Sequence, residues 1–116
     1  ASLSRHVHAV DRYARLVREG EARLARLGIG NVTVRQADGQ YGWPEQELFD
    51  RIVLACAVPE VPDLLLSQLT AGGRLAAPIV RGNEQEIVSV TLGGGVMRTP
   101  FFQQVPALSQ GKAGVL

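Results

Sequence analysis

With 116 residues, the chain has room for one domain and too little for two. Hydrophobic residues make up 46% of it, enough for a core and too many for a disordered segment. Charged residues are 20% and the formal net charge is +1, a balance that argues against bulk electrostatic binding to nucleic acid or to an acidic membrane.

Residues 6–10 alternate and are rich in β-branched side chains, which predicts a short strand ending at Asp11. The period then changes. Tyr13, Val17, Gly20, Leu24 and Leu27 follow the spacing of one helix face, and arginines and glutamates occupy the other. Gly28 and Gly30 end this helix, since glycine accepts the left-handed cap conformation. Residues 32–36 predict the next strand. Ala37, Asp38 and Gly39 follow as a turn, and Gly42, Trp43 and Pro44 continue an irregular loop.

Residues 49–57 hold a nearly continuous apolar run, as in a parallel strand covered on both faces. Pro59 and Pro62 bracket a loop. Residues 63–69 predict a short buried helix capped by Gly72 and Gly73, and residues 74–80 another apolar strand. Residues 86–92 and 96–105, joined at Gly93, Gly94 and Gly95, predict a closing antiparallel hairpin. The order β-α-β-loop-β-α-β-β-β implies a single α/β domain over residues 1–116, with a mostly parallel sheet. No apolar run approaches the roughly 18 residues of a membrane span, and the first residues lack the apolar stretch of a signal peptide.

In parallel sheets ligands sit outside the carboxyl ends of the strands. Three loops qualify: Asp11 with Arg12, Asp38 with Gly39, and residues 55–59. Asp11 could accept hydrogen bonds from a ribose diol or simply favour the start of a helix. Asp38 and Gly39 could contact an adenine ring or form an ordinary turn dipeptide. Cys56 is the single cysteine, which excludes a disulfide within the chain and fits a reducing cytoplasm. It has no activating base in sequence, so a nucleophilic role is disfavoured. His6 and His8 share a strand face, but two ligands without a third make a weak metal site. Arg5, Arg12, Arg15, Arg18, Arg23, Arg26 and Arg35 read better as the wet side of a helix and its flanks than as a phosphate surface, because no aromatics interleave them.

Several segments together carry a resemblance. "VHAVDRY", then residues 22–87 with "NV", "DG", "GWP", "FDRI", "PEVP" and "LLLSQLTAGGRL" in this order, resemble the protein-L-isoaspartate O-methyltransferase family. "PFFQQVPAL" is similar to its closing strand more loosely. The match covers about residues 5–108. It departs from the family at "LACAVP", and at Val80, where the family has a glycine.

The resemblance implies a partial Rossmann-like methyltransferase sheet and S-adenosyl-L-methionine as cofactor. The implied reaction is methylation of the free carboxylate of L-isoaspartyl residues in damaged proteins, in the cytoplasm, without nucleic acid or membrane. Asp11 and Arg12 would bind the cofactor ribose end, and Asp38 and Gly39 would flank the adenine. Ala55 and Cys56 would line the cofactor floor, and Val58 and Pro59 would face the peptide. No metal is implied and no catalytic side chain is assigned. The substrate carboxylate, with a pKa of about 4, is already anionic and needs no base. Positioning alone can supply roughly 7–11 kcal/mol.

The family's first strand and glycine-rich cofactor loop have no counterpart in the sequence, and Ala1 reads as lying inside the helix that follows that strand. Two open sheet edges are then expected. Either the neighbouring strands close up, or another chain fills the gap as a homo-oligomer or a completing partner. The alternatives to the repair enzyme are an inactive relic serving as a binding module, and a methyltransferase half completed by another chain for a different substrate.

Overall fold

The computed structural model describes residues 3–43 and 48–101. Pro44, the 102–105 part of the expected last strand, the "VPAL" ending and Ala1 lie outside the described residues. The elements follow the expected order, and the fold class is α/β. They fall into two compact units, one ending at Gly39 and one beginning at Gln40.

The first unit holds β1 (Val7–Asp11), α1 (Ala14–Arg26) and β2 (Val32–Gln36). β1 and β2 pair in parallel, from Val7 opposite Val32 to Asp11 opposite Gln36. α1 ends where the sequence says it should. Gly28 takes φ 69°, its N–H reaches the Ala25 carbonyl, and the Ile29 N–H reaches back to the Leu24 carbonyl at 2.9 Å. That is the paired bonding of a Schellman cap, which only a residue at ease in the left-handed region closes cheaply. Glu19 pairs with Arg15 at 3.1 Å, on the exposed side of the helix.

A 3-10 turn, Gly39–Tyr41, leads on in the chain. The second unit contains β3 (Phe49–Val53), α2 (Asp63–Leu66), β4 (Leu69–Arg81), β5 (Glu84–Thr91) and β6 (Val96–Phe101). Its sheet has the order β3-β4-β5-β6, with β3 parallel to β4 and the later pairs antiparallel. The expected hairpin at the glycine triplet is there, between β5 and β6. A second one joins β4 to β5 through Gly82 and Asn83.

Alternation along β4 and β5 builds the core. Leu75 faces Val90 and Ala77 faces Val88 across the ladder, and both pairs are buried with Ile79, Leu65 and Leu69. Leu65, Leu69 and Leu75 are fully buried, worth about 1.5–3 kcal/mol each.

Several boundaries differ from expectation; β5, for one, runs Glu84–Thr91 where residues 86–92 were expected. α2 stops at Leu66, and Leu69 already belongs to β4. The Gln68 carbonyl accepts the Phe49 N–H at 2.6 Å, which draws the chain into the sheet at that point. Gly72 and Gly73 therefore lie inside β4, not at a helix end. They sit where the register slips: Phe49 opposes Leu69, but Arg51 opposes Arg74. β3 ends at Val53, earlier than its apolar run suggests, because the chain lifts away from β4 after Leu54.

Candidate functional site

The carboxyl ends of β1 and β2 bring together the first four candidate residues. Asp11 closes β1, and its backbone carbonyl accepts the Ala37 N–H at 3.0 Å. Its side-chain Oδ1 accepts the Tyr13 N–H at 3.0 Å, forming an Asx turn that starts α1. One carboxylate oxygen of Asp11 thus serves the helix start, and Oδ2 has no partner among the described residues. Arg12 lies over the Tyr13 ring at 5.1 Å from its centroid, and its carbonyl accepts from Gln36 Nε2 at 3.0 Å. Asp38 and Gly39 follow β2 after one residue, Ala37. Gly39 packs against Val10, where an added Cβ would stand 3.3 Å from a Val10 methyl. An acidic β1 terminus therefore lies beside a close-packed β2 turn.

In the second unit two of the other four candidates, Ala55 and Cys56, lie in a bulge beside β4, and Val58 and Pro59 follow it. The Leu54 N–H bonds the Ala76 carbonyl at 2.9 Å, and the Val58 N–H bonds the Pro78 carbonyl at 3.0 Å. Four residues of one strand are thus spanned by two of the other, so residues 55–57 arch out of the ladder. Ala55 is exposed, Cys56 is a half-buried free thiol, and Ala57 is buried. Val58 returns to the sheet opposite Ile79 and commits its side chain to the core, while Pro59 is exposed. Of the two residues expected to face a peptide, Val58 has its side chain in the core and both backbone groups bonded to β4, its N–H to the Pro78 carbonyl and its carbonyl to the Val80 N–H at 3.0 Å, which leaves Pro59 as the exposed one.

Sequence reasoning missed Gln68. Its Oε1 accepts the Trp43 N–H at 3.3 Å, and its Nε2 donates to the Tyr41 carbonyl at 3.4 Å. The sequence places it inside the expected helix of residues 63–69, and nothing there shows that it reaches a loop 25 residues upstream.

His6 and His8 lie with their rings 4.7 Å apart, and His6 Nε2 bonds the Thr33 hydroxyl at 2.7 Å. Burial, then the charges of His6 and Arg35, push the His8 pKa below its ordinary value. Among the described residues no group of three or more His, Cys, Asp or Glu side chains could hold a metal. No described helix is long and apolar enough to cross a membrane.

Residues 2–100 match the family model for protein-L-isoaspartate(D-aspartate) O-methyltransferase. The protein-L-isoaspartate O-methyltransferase of Maricaulis maris is 47% identical over 88 residues, which cover 76% of this chain and 41% of that protein. The chain thus spans less than half the length of this curated relative. A solved protein-L-isoaspartate O-methyltransferase superposes with a TM-score of 0.72 at 29% identity, over 89% of this chain and 35% of its own. A Plasmodium falciparum structure of the same description, in complex with S-adenosyl-L-homocysteine, gives a TM-score of 0.74 over 90% of this chain and 52% of its own. At 23% identity that second likeness speaks for the fold alone. Together the two neighbours make the fold class a Rossmann-like methyltransferase one, with parallel pairing and a closing antiparallel hairpin.

Proposed function

The chain belongs to the protein-L-isoaspartate(D-aspartate) O-methyltransferase family, and from that premise we propose that it serves methyl transfer to the free carboxylate of L-isoaspartyl residues in damaged proteins. The observation that carries the proposal is the acidic end of β1. Asp11 keeps one carboxylate oxygen on the Tyr13 N–H and leaves the other for a ligand, at the carboxyl end of a parallel strand. A carboxylate so placed fits the vicinal diol of an adenosine ribose.

S-adenosyl-L-methionine, when bound, supplies the methyl group on its sulfonium. Asp11 and Arg12 would hold the ribose end, and Asp38 and Gly39 would flank the adenine. On the second unit, Ala55 and Cys56 would line the cofactor, and Val58 and Pro59 would meet the peptide. The substrate carboxylate is anionic at neutral pH, so no side chain of this chain needs to act as a base. Its contribution is to position two partners, which can supply roughly 7–11 kcal/mol of barrier lowering.

The two units are read as parts of one methyltransferase-like domain working in the cytoplasm on isoaspartyl proteins, without nucleic acid or membrane. Among the described residues β1 pairs only with β2, and β3 only with β4. The reading leaves two ways to cover the other edge of each: the neighbouring strands close up, or a second copy or a completing chain adds a strand. Size-exclusion chromatography with ordinary cooperative melting as a monomer would reject partner-filling.

The direct test is calorimetry with S-adenosyl-L-homocysteine, followed by labelled methyl transfer to an isoaspartyl peptide and to its aspartyl isomer. Binding, with transfer to the isoaspartyl peptide alone, is the expected result. Equal methylation of both isomers overturns the substrate assignment, and absence of binding overturns the cofactor assignment.

A further inference from the structure

We infer that Gln68 is a positioning residue: its side-chain amide clamps the loop of Tyr41, Gly42 and Trp43, and so pre-organises the stretch that follows Asp38 and Gly39, a role that rests on the cofactor reading above.

A carboxamide is the neutral side chain that can accept and donate at once. Gln68 uses both capacities on backbone groups two residues apart, accepting from Trp43 N–H and donating to the Tyr41 carbonyl. These groups belong to a loop outside any strand ladder, so the amide does there what secondary structure does elsewhere.

Gly42 sits between the two bonds. Its φ of 64° favours glycine by itself, and a Cβ at that position would land on the Gln68 amide. The loop is therefore fitted to this side chain, not merely near it.

The base of the clamp is fixed as well. The Gln68 N–H bonds the Leu65 carbonyl at 3.1 Å, and its carbonyl holds the Phe49 N–H at 2.6 Å. Both are backbone bonds, so replacing the side chain leaves the end of α2 and the start of β3 in place.

Trp43 is buried, at 9% exposure, although it lies in a loop. Only Gln40 separates Gly39 from Tyr41 in the chain. Holding Tyr41 and Trp43 restricts the conformations open to Asp38 and Gly39, and ordering them in advance lowers what ligand binding must spend on ordering.

Trp43 is the single tryptophan, so its emission reports this loop directly. The experiment compares Gln68→Ala, Gln68→Glu, Gly42→Ala and the Gln68→Ala/Gly42→Ala double variant by tryptophan emission, acrylamide quenching and calorimetry with S-adenosyl-L-homocysteine. Gln68→Ala is expected to shift the emission to the red, to raise quenching, and to weaken binding by about tenfold, equivalent to about 1.4 kcal/mol. Gln68→Glu keeps the acceptor for Trp43 and loses the donor for Tyr41, so it should fall between. It also carries the test if the alanine variant does not fold.

Gly42→Ala should disturb the emission more in the wild-type background than beside Gln68→Ala, because its Cβ meets the amide only when the amide is there. Unchanged emission and quenching in Gln68→Ala, or strictly additive effects in the double variant, overturn the clamp whatever the wild type binds. Shifted emission with unchanged affinity overturns the positioning role. A wild-type chain that binds no S-adenosyl-L-homocysteine overturns the cofactor reading and this role with it, while the emission data still decide whether the clamp exists.

Discussion

In the β1–α1–β2 unit, Val17 is the one buried hydrophobic among the described residues, and every residue of β1 is half-buried. Leu27, the residue that ends α1, is 72% exposed. In the β3–β6 unit, Leu65, Leu69, Leu75, Ala77, Ile79 and Val88 form a continuous core, with Leu75 at 0% exposure. A parallel pair needs cover on both faces, whereas an antiparallel run closes a core on one face and leaves the other wet. The acidic strand end proposed to hold the ribose thus rests on the less buried scaffold. The loop clamp rests on the better buried one.

The largest effect should come from the stronger core. Leu75→Ala removes a side chain packed against Val90 and the α2 leucines, and should cost about 2–5 kcal/mol in urea unfolding followed by Trp43 emission. Asp11→Asn keeps an oxygen for the Tyr13 N–H but removes the charge. It should weaken S-adenosyl-L-homocysteine binding by about 1.5–3 kcal/mol while leaving that unfolding curve in place. Equal affinity of the two proteins would detach Asp11 from the cofactor reading.

Val17→Ala should cost less, about 1 kcal/mol, since the surrounding helix face is already partly open. Amide hydrogen exchange locates the effect: α1 amides should exchange faster in the variant, and β4 and β5 amides should not. A Val17→Ala penalty as large as that of Leu75→Ala would break the comparison between the two units.

These differences were partly legible in the sequence. β2 was readable to the residue, because its β-branched run is bounded by a glycine-rich helix end and an acidic turn. The cap at Gly28 followed from one glycine after the last periodic leucine. The end of α2 was not legible: Leu66 and Leu69 suit a helix and a buried strand equally, and a backbone bond from Phe49 to Gln68 decides between them. The candidate loops at Asp11, Asp38 and residues 55–59 could be placed at strand ends from periodicity alone. That Ala55 is exposed while Ala57 is buried could not, since it depends on an arch in the pairing between Leu54 and Val58. The Gln68 contact was invisible for the same reason: it joins residues that share no local pattern.

The smallest effect separates the units by pH. His8 lies on β1 opposite Thr33, beside the His6 ring and under the influence of Arg35. Burial first, and then those two positive charges, lower its pKa in the folded chain below 6.5. The unfolded chain therefore binds more protons as the pH falls through 6.5. The contribution of neutral His8 is fully present above that value, and is lost as the pH drops towards and through the lowered folded pKa. Exchange of the β1 and β2 amides should quicken relative to β4 and β5 between about pH 7.5 and pH 5.5, once the intrinsic pH dependence of exchange is removed. His8→Gln should abolish the difference. If that variant shows the same pH dependence, the sensitivity lies elsewhere in the first unit, and its weakness comes from sparse burial alone.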